Sequence, residues 1–366
     1  LEEESRPRTD RKRLQAREAE LLAAHAKEWL GDLGRFFVGD WSGEDKPYHF
    51  AFARGWLDYL RTLPAPDAIY NAIARAPEVR LLRRLEIVYD MRYHPFDFDQ
   101  FVEGPAKALV GNERRGEVYD GFSPLPPLVA SPHLGNLRAF KIGFSDNGPE
   151  LAHSTMVDPF DGCPAEQILA LLAKCPRLVE LYLNTDLGPV DALFASPQLE
   201  QLRVFQFYYG VGRYQGTNPY PLSTLAQNPA ARNLRSLRFH PGRDATLALN
   251  EVTALLNSPH LPALEHLQLH MTIYGDEICE PLIASGLLNR LKTLDLGYGN
   301  MTDEGARLLA ARPEVKKLAS LDLSRNALTE VGISALRKAG VRVLITDNQH
   351  SSVDEYPEYL YSVDVE

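Results

Sequence analysis

A proline followed at fixed spacing by a ladder of leucines recurs along most of this 366-residue chain. The pattern reads Pro-x-(Leu/Val)-x-x-Leu-x-x-(Leu/Phe)-x-(Leu/Ile/Phe), and its copies begin at Pro77, Pro132, Pro197, Pro229, Pro259 and Pro313. Gly286 replaces the proline in one further copy, and the copy at Pro176 is three residues shorter. An internal repeat on this scale predicts a solenoid, in which each unit buries its apolar face against its neighbours. Solenoids mostly present surfaces for binding, so the repeat also lowers the expectation of an enzyme.

Each copy predicts a short strand followed by a helix. The last two apolar residues of a ladder are two positions apart, which is the period of a strand. Apolar residues at helical spacing follow at 165–174, 250–257, 303–311 and 330–339. From Leu202 onward the ladders begin 32, 30, 27 and 27 residues apart, close to the roughly 20 to 29 residues of a leucine-rich repeat. The predicted fold class is α/β: a leucine-rich repeat solenoid with a curved parallel sheet on the concave side, helices on the convex side and a helical N-terminal cap.

The last two units carry the most specific sequence motif. They read Leu294-Asp-Leu-Gly-Tyr-Gly-Asn300-Met-Thr-Asp-Glu-Gly305 and Leu321-Asp-Leu-Ser-Arg-Asn326-Ala-Leu-Thr-Glu-Val-Gly332. This wording resembles the ribonuclease-inhibitor-like class of leucine-rich repeats, in which Asn follows the strand and Gly lies inside the helix. A buried Asn at the strand exit can bond backbone groups that the turn leaves unpaired. Asn300 stands one residue later than Asn326, which predicts an inserted residue in that turn, and the earlier units lack the Asn, which predicts longer and looser turns.

The N-terminal region is predicted to cap the solenoid. Residues 10–31 form an amphipathic helical pattern that Gly31 ends. A strand-like segment follows at 48–57, where alternation places Phe50 and Phe52 on one face. An open stack of repeats needs such a cap because its first unit otherwise exposes an apolar end.

Part of this region also resembles a known domain. The wording Ala16-Arg-Glu-Ala-Glu-Leu-Leu-Ala-Ala-His-Ala-Lys-Glu-Trp-Leu-Gly31, followed by Ala53-Arg-Gly-Trp-Leu57, is similar to the tail of a so-called repeat-companion domain that precedes leucine-rich repeats in a bacterial family. The resemblance covers about residues 9–60 and the repeats after them, and the front half of that domain is not in this sequence. It implies a bacterial, cytoplasmic, interaction-prone protein and names no partner.

We therefore expect three parts. Residues 1–65 form a linker, a helix and the capping segment, residues 66–345 form the repeats, and residues 346–366 form an acidic tail that is either a cap or a docking peptide. Two insertions interrupt the repeats, near 91–130 and 208–221. The first is expected to shield the edge of the solenoid, and for the second both shielding and binding stay open.

The composition and charge of the chain disfavour some classes of partner. The net charge of −10 disfavours nucleic acid, because phosphate neutralisation normally requires a basic face. No apolar run approaches the roughly 18 residues of a membrane span, and the start does not resemble a signal peptide. The three cysteines are odd in number and lack ligand spacing, which favours a reducing cytoplasm.

Residues between the core leucines of a strand are expected to face outward on the concave side of the sheet. The central outward position is occupied in turn by Glu86, Lys141, Tyr182, Gln206, Arg238, Gln268, Asp295 and Asp322. Two residues further on stand Val88, Gly143, Asn184, Tyr208, His240, His270, Gly297 and Ser324. Tyr and Arg dominate binding hot spots, and equivalent positions on strands about 4.8 Å apart are neighbours. We predict a partner-binding strip made of Tyr182, Asn184, Gln206, Tyr208, Arg238, His240, Gln268, His270 and Asp295, joined by Tyr214 from the second insertion.

Two other interpretations of these residues are weaker. A solvent-facing strand surface must be polar in any case, so polar residues there do not by themselves indicate a partner. His240, His266 and His270 invite a metal site, but no cysteine or patterned carboxylate joins them. Asp295 and Asp322 have the proximity that an acid/base pair needs, but they occupy the same repeat position.

The sequence favours a non-enzymatic function. It contains no phosphate-binding loop, no His-Glu-x-x-His, no Gly-x-Ser-x-Gly and no Cys-x-x-Cys motif. We expect a protein–protein interaction scaffold or adaptor that binds another protein through the concave face and needs no cofactor or metal. The alternative is a regulatory subunit or substrate of a larger bacterial defence or signalling enzyme complex that acts through its termini. A third hypothesis is an enzyme with an unrecognised site. The oligomeric state is not predicted.

Overall fold

A computed structural model describes residues 8–38, 48–64, 67–89, 124–144, 163–185, 187–208, 220–241, 247–270 and 274–350. Eleven strands in these ranges form one sheet, in which each strand lies beside its neighbours in the sequence. The first two, β1 (His49–Ala53) and β2 (Trp56–Thr62), pair antiparallel, and every later pair is parallel. The later strands are β3 (Arg84–Tyr89), β4 (Ala139–Phe144), β5 (Glu180–Asn184), β6 (Val204–Tyr208), β7 (Ser236–His240), β8 (His266–Leu269), β9 (Thr293–Asp295), β10 (Ser320–Asp322) and β11 (Leu344–Ile345).

Helices alternate with the strands. They are α1 (Arg8–Trp29), α2 (Gly34–Phe37), α3 (Asp67–Arg75), α4 (Leu125–Ala130), α5 (Ala165–Lys174), α6 (Asp191–Phe194), α7 (Leu222–Ala226), α8 (Leu249–Leu256), α9 (Cys279–Ala284), α10 (Asp303–Ala310) and α11 (Glu330–Ala339). Single 3₁₀ turns lie at Gly31–Leu33, Pro77–Leu81, Leu134–Asn136, Pro197–Gln201, Pro229–Asn233, Gly275–Ile278, Leu287–Asn289 and Val315–Lys317.

The predicted leucine ladders form the core. Leu181 and Leu183 of β5, for example, are fully buried, and they belong to one continuous apolar cluster with helical leucines such as Leu171 and Leu255. The strand therefore buries every second residue, and the helix covers that face of the sheet. The α/β solenoid with a parallel sheet and an N-terminal helix is confirmed.

The recurrent proline has a structural reason that involves the residue before it. Pro197 and Pro229 open 3₁₀ turns, where their fixed φ and missing N–H cost nothing. Asn228 Nδ2 donates to the carbonyl oxygens of Phe194 and Ser196, both at 2.9 Å, and its Oδ1 accepts from Ala230 N at 2.9 Å. Asn228 therefore ties its unit to the unit before it, whereas the Ser196 hydroxyl bonds Gln198 within its own turn.

Serines before other prolines make the same type of contact. Ser258 Oγ donates to the Ala226 carbonyl at 2.5 Å and accepts from His260 N at 3.1 Å. Ser131 Oγ donates to the Ala74 carbonyl at 2.6 Å. The repeat of prolines and leucines did not predict this role for the polar residue, although a signal for it exists in the recurrent Ser-Pro or Asn-Pro pair.

A different anchor, one buried asparagine, joins the last two units. Asn326 is fully buried, and its Nδ2 donates to the carbonyls of Leu296, Leu323 and Ser324 at 2.9, 3.1 and 3.3 Å. Its Oδ1 accepts from Met301 N at 2.8 Å. The prediction for Asn326 is confirmed.

Asn300 does not repeat this arrangement. It is only half-buried, and none of the bonds made by the Asn326 side chain has a counterpart at Asn300 in the described ranges. The one-residue offset in the sequence explains the difference, because it turns the amide away from the position that Asn326 occupies.

A carboxylate caps the helix of the following unit. Asp276 Oδ1 accepts from the backbone N–H groups of Thr302 and Gly305, both at 2.9 Å, and its Oδ2 accepts from Thr302 Oγ1 at 2.6 Å. A Cβ on Gly305 would collide with this carboxylate. The predicted glycine inside the helix is therefore needed for the close approach of the preceding unit.

The next pair of units repeats the contact. Asp303 accepts from Thr329 N, Thr329 Oγ1 and Gly332 N at 2.9, 2.6 and 3.0 Å. Glycine is required at Gly332 for the same reason as in the preceding unit.

The N-terminal cap consists of α1 and the β1–β2 hairpin. The helix begins at Arg8 and ends at Trp29, whose ring meets the Phe52 ring edge-on at 5.6 Å. The rings of Phe50 and Phe52 also touch, at 6.0 Å between centroids. Among the helices that the structure describes, none is long and apolar enough to cross a membrane. The expected three-part division of the chain stays a prediction.

Candidate partner-binding face

The sheet has one face covered by helices and an opposite face, here called the open face. Its central row is formed by Cα partners in adjacent strands and contains Glu86, Lys141, Tyr182, Gln206, Arg238, Gln268, Asp295 and Asp322. A second set of Cα partners lies two residues further along each strand and is here called the third row. It contains Val88, Gly143, Asn184, Tyr208 and His240. His270 continues it, since its N–H donates to the Phe239 carbonyl. The predicted register is confirmed.

The central row is unevenly accessible. Arg238 is exposed, whereas Tyr182, Gln268 and Asp295 are half-buried. Gln206 is buried, with 1% of its surface exposed. Arg238 and its half-buried neighbours therefore form the accessible part of this row.

The third row is not an exposed surface, which corrects the expectation for its members. Asn184, Tyr208, His240 and His270 are all buried, with 0 to 7% of their surface exposed. Asn184 Nδ2 donates to the Phe144 carbonyl at 2.9 Å, and Asn184 Oδ1 accepts from Gln206 Nε2 at 2.9 Å. These two amides link three strands across the sheet, and a buried amide must have such partners.

A chain of hydrogen bonds joins the two buried histidines to the central row. His270 Nε2 lies 2.9 Å from Asp295 Oδ1, and His270 Nδ1 lies 2.8 Å from His240 Nδ1 and 3.1 Å from Gln268 Nε2. A carboxylate only accepts, so His270 donates from Nε2 to Asp295. His270 Nδ1 faces both His240 Nδ1 and the Gln268 amide. These contacts hold both rings in one orientation.

Tyr298 packs beside this pair of histidines. Its ring centroid lies 5.0 Å from His240 and 4.9 Å from His270, and the Arg325 guanidinium lies 5.1 Å from the Tyr298 centroid. Tyr298 and Arg325 have φ of 55° and 54°, a left-handed conformation that is costly for residues other than glycine. The backbone bends there so that the ring returns over the sheet. Sequence alternation gave no signal for it.

Gly297 lies against the contact between His270 and Asp295. A Cβ on Gly297 would lie 3.2 Å from Asp295 Oδ1 and 3.6 Å from His270 Nε2. A larger side chain would therefore press against the atoms that join His270 to Asp295.

The environment of these groups shifts their pKa values. Burial, and next the neighbouring His270, hold the pKa of His240 well below its ordinary 6.5. The pKa of Asp295 lies below 3.8: burial alone would raise it, but His270, the Gly297 N–H and the charge of Arg238 outweigh burial. A neutral His240 and an ionised Asp295 carboxylate are the result.

Asp322 shows the opposite behaviour. Burial and the charge of Asp295 raise its pKa above 3.8. Its carboxylate accepts one backbone N–H, from Ser324 at 2.9 Å. A cation placed beside Asp322 would relieve the repulsion between the two carboxylates.

Tyr182 anchors the other end of the accessible row. Its Oη donates to Glu180 Oε2 at 3.0 Å, and the Arg84 guanidinium lies 5.9 Å from its ring. Burial, and then the charge of Glu180, raise its pKa to about 12. The phenol therefore stays protonated and presents a fixed, amphipathic ring.

A shallow groove of about 370 Å³ lies on the open face across β7 to β11. Arg238, His266, Gln268, Asp295 and Asp322 line it. It offers one cation, two carboxylates and several hydrogen-bonding groups within one depression. The groove thus combines both signs of charge with donors and acceptors.

The three histidines considered for a metal do not converge. His266 Nδ1 lies 2.9 Å from Thr293 Oγ1, in the row before the central one, whereas His240 and His270 bond each other. Among the described residues, no group of three or more His, Cys, Asp or Glu side chains is placed to hold a metal ion.

Some predicted features cannot be located. Tyr214, most of both insertions and the tail 351–366 lie outside the described residues. Their predicted roles stay predictions.

Comparisons with known proteins support the repeat. The family model described as a leucine-rich repeat matches residues 289–310 and 316–336, the last two units. No curated protein sequence matches the chain. The match does not extend to the cap, so the companion-domain resemblance stays a prediction.

Three solved bacterial structures align with this chain at 14 to 15% identity. A protein from Bacteroides fragilis shares 15% identity over 94% of this chain and 85% of its own, with a TM-score of 0.44. An internalin from Listeria monocytogenes shares 15% over 77% and 70%, with a TM-score of 0.36. A leucine-rich repeat protein from Leptospira interrogans shares 14% over 75% and 74%, with a TM-score of 0.26.

Proposed function

We propose that this protein is a non-enzymatic interaction scaffold or adaptor that binds another protein through the open face. Leucine-rich repeat solenoids generally offer a sheet for this purpose. The observation that carries the proposal is the groove across β7 to β11, where exposed Arg238 and half-buried Gln268, Asp295 and Asp322 converge.

The buried third row supports this surface from below. His270 holds the Asp295 carboxylate, and His240 and Gln268 hold His270. Groups held in place before binding lose little freedom when a partner arrives. Of the nine strip residues that the structure describes, Tyr182, Arg238, Gln268 and Asp295 therefore contact the partner, while the buried members position them.

The charges define the partner's chemistry. Arg238 binds a carboxylate or a backbone carbonyl of the partner, and Asp322 binds a lysine or arginine side chain of the partner. Tyr182 adds an aromatic contact of the type found in binding hot spots. The partner segment thus carries both an acid and a base.

Affinity capture from the lysate of the native organism tests the proposal. The bait is the full chain, compared with Arg238→Glu and Asp322→Lys, and the matched control is Lys338→Glu on the exposed side of α11. We expect one protein that the intact chain and the control retain and both open-face variants lose, measured by quantitative mass spectrometry. Recovery of the same proteins by all four baits would overturn the assignment of this face.

The alternative, a regulatory subunit or substrate that acts through its termini, makes a different prediction. Deleting residues 351–366 would then abolish partner recovery while the open-face variants keep it.

A further inference from the structure

A second groove lies at the opposite end of the solenoid, between α1 and the β1–β2 hairpin. Its volume is about 750 Å³, within the usual range of roughly 300 to 1,000 Å³ for ligand pockets. Leu14, Leu21, Leu22 and Trp29 of α1 line it, together with Phe52 of β1 and Trp56 of β2. The proposed open face does not include any of these residues.

The groove leaves large aromatic surface in water. Trp29 and Trp56 remain 41% and 42% exposed, although tryptophan is highly buried on average. Ring contacts fix both: Trp29 stacks on His25 at 5.6 Å, and the Arg80 guanidinium lies 4.6 Å from Trp56. Large exposed apolar surface at a preformed site is typical of an interaction site.

The rim of the groove is basic. Arg17, Arg54 and Arg80 line it and are exposed. Arg17 also pairs with Glu20 at 2.9 Å, so Arg54 and Arg80 supply most of the positive charge. Two carboxylates also line it, but the Glu78 carboxylate packs against Gly31, and only Glu18 is on the exposed surface. The groove therefore suits a ligand with apolar or aromatic groups at its centre and negative charges at its edges.

The chain itself carries a segment of this chemistry, residues 351–366, here called the acidic tail. It contains five carboxylates, at Asp354, Glu355, Glu358, Asp364 and Glu366, and three tyrosines, at Tyr356, Tyr359 and Tyr361. It contains no lysine or arginine. Its tyrosines match the tryptophans of the groove, and its carboxylates match the three arginines.

Distance favours a tail from another molecule. Nine strand spacings separate β2 from β11, which is about 43 Å at about 4.8 Å per strand. Sixteen fully extended residues reach about 55 Å at most, so a tail that spanned the sheet would keep only its last few residues for the groove. We infer that the groove binds the acidic tail of a second copy of this chain, and that copies associate head to tail.

Such an association has a characteristic signature. A head-to-tail contact leaves a free groove at one end and a free tail at the other, so assemblies grow with concentration and do not stop at two. Exposed ion pairs weaken as salt screens them, so added salt shortens the assemblies.

A labelled peptide of residues 351–366 tests the site directly. Its affinity for the full chain is measured by fluorescence anisotropy and compared with the Arg54→Glu, Arg80→Glu double variant. The control is Arg75→Glu, Lys338→Glu, which changes the same charge at exposed positions away from the groove. Reversing two rim charges replaces two attractions by two repulsions, so we expect about tenfold weaker binding for the groove variant and none of this loss for the control.

Sedimentation velocity then tests the second copy. The mean mass of the full chain is expected to rise with concentration, and a chain lacking residues 351–366 is expected to stay monomeric. A variant in which lysine replaces the five tail carboxylates is expected not to associate with itself. Mixed with the groove variant, it should associate again, because its intact groove can bind the intact tail of the groove variant. This rescue excludes misfolding as the cause of the losses.

Three results would overturn the inference. One is peptide binding that is absent, or equal for the groove variant and the intact chain. Another is a mass that does not change with concentration. The third is an intact monomer that binds the peptide more weakly than the tail-deleted chain does, because the tail then occupies its own groove.

Discussion

The middle of the solenoid and its C-terminal end hold neighbouring units together in different ways. In the middle, the residue before the proline bonds the preceding unit, as Asn228 and Ser258 do. At the C-terminal end, Asn326 bonds the strand exits and Asp276 and Asp303 cap the next helix. The same strand ladder therefore tolerates different polar anchors, provided that the buried backbone groups at each turn have partners.

The two regions also fill their cores differently. Helices α6 and α7 have four and five residues, and the Phe194 ring there contacts the rings of Phe205, Phe207 and Phe239. Helices α10 and α11 have eight and ten residues, and leucines such as Leu309 fill the space. A short helix brings few side chains to the core, so each must be large to keep the interior close-packed.

The strongest test of this difference is Phe194→Ala. It removes a fully buried ring that meets three others, and we expect a loss of about 4 kcal/mol in the free energy of unfolding. Leu309→Ala in α10 is the matched substitution, with an expected loss of about 3 kcal/mol. Urea unfolding followed by circular dichroism measures both. A larger loss at Leu309 would mean that the aromatic cluster does not compensate for the short helices.

Asn326→Ala tests the anchor of the C-terminal end. It removes the partner of the Leu296 carbonyl and of the Met301 N–H, whereas the Leu323 and Ser324 carbonyls keep bonds from Gln349 and Tyr298. We expect a loss of about 3 kcal/mol. Asn300→Ala serves as control, with an expected loss under about 1 kcal/mol, because its side chain does not make the corresponding bonds. In Asn326→Ala, hydrogen exchange should show β9 to β11 losing protection before the other strands. Equal effects of the two substitutions would contradict the special role of Asn326.

Asp303→Ala removes the cap that one unit gives to the next. We expect a loss of about 1 kcal/mol at neutral pH, typical of a helix cap. The Thr329 hydroxyl, the N–H groups of Thr329 and Gly332 and the charge of Arg307 hold the pKa of Asp303 below 3.8, against a smaller effect of burial. The contribution is therefore present above pH 3.8 and disappears as pH falls through the lowered folded value.

Thermal unfolding of Asp303→Ala and the intact chain across this pH range checks the effect. Asp303→Asn keeps a neutral acceptor and should recover part of the stability without the pH dependence. An Asp303→Ala loss that is the same at pH 7 and pH 2 would point to packing, not to the cap.

The smallest expected effect is a pH dependence centred on the middle region. Because the pKa of His240 lies well below 6.5 in the folded chain, the unfolded chain takes up its proton first as pH falls. Stability is then lost below pH 6.5, by about 1.4 kcal/mol per pH unit at most. In His240→Asn this slope should decrease. Hydrogen exchange should show β7 and β8 losing protection before β9 and β10, and a uniform loss would argue against His240.

The ladder predicted the sheet well because the period of a strand determines which residues share a face. Tyr182, Gln206 and Arg238 are Cα partners as expected, and α5 and α11 have the predicted bounds. Helices as short as α6 and α7 were missed, because four or five residues cannot show a helical period.

The accessibility of the open face could not be predicted in the same way. Alternation gives the direction of a side chain, but it does not show what packs over it. Burial of His240 and His270 involves Tyr298, which comes from a later unit and requires a left-handed backbone. Such a contact depends on tertiary structure. The strand period of two residues and the helix period of 3.6 residues carry no information about it.

The aspartate caps have a consequence for the length of the solenoid. Asp276 and Asp303 are 27 residues apart, and so are Thr302 and Thr329, and Gly305 and Gly332. The unit of Thr302, Asp303 and Gly305 therefore carries both the acceptor for its successor and the donors for its predecessor. Duplication or deletion of this unit joins a complete acceptor to a complete set of donors, so it can change the size of the protein by 27 residues without any new capping residue.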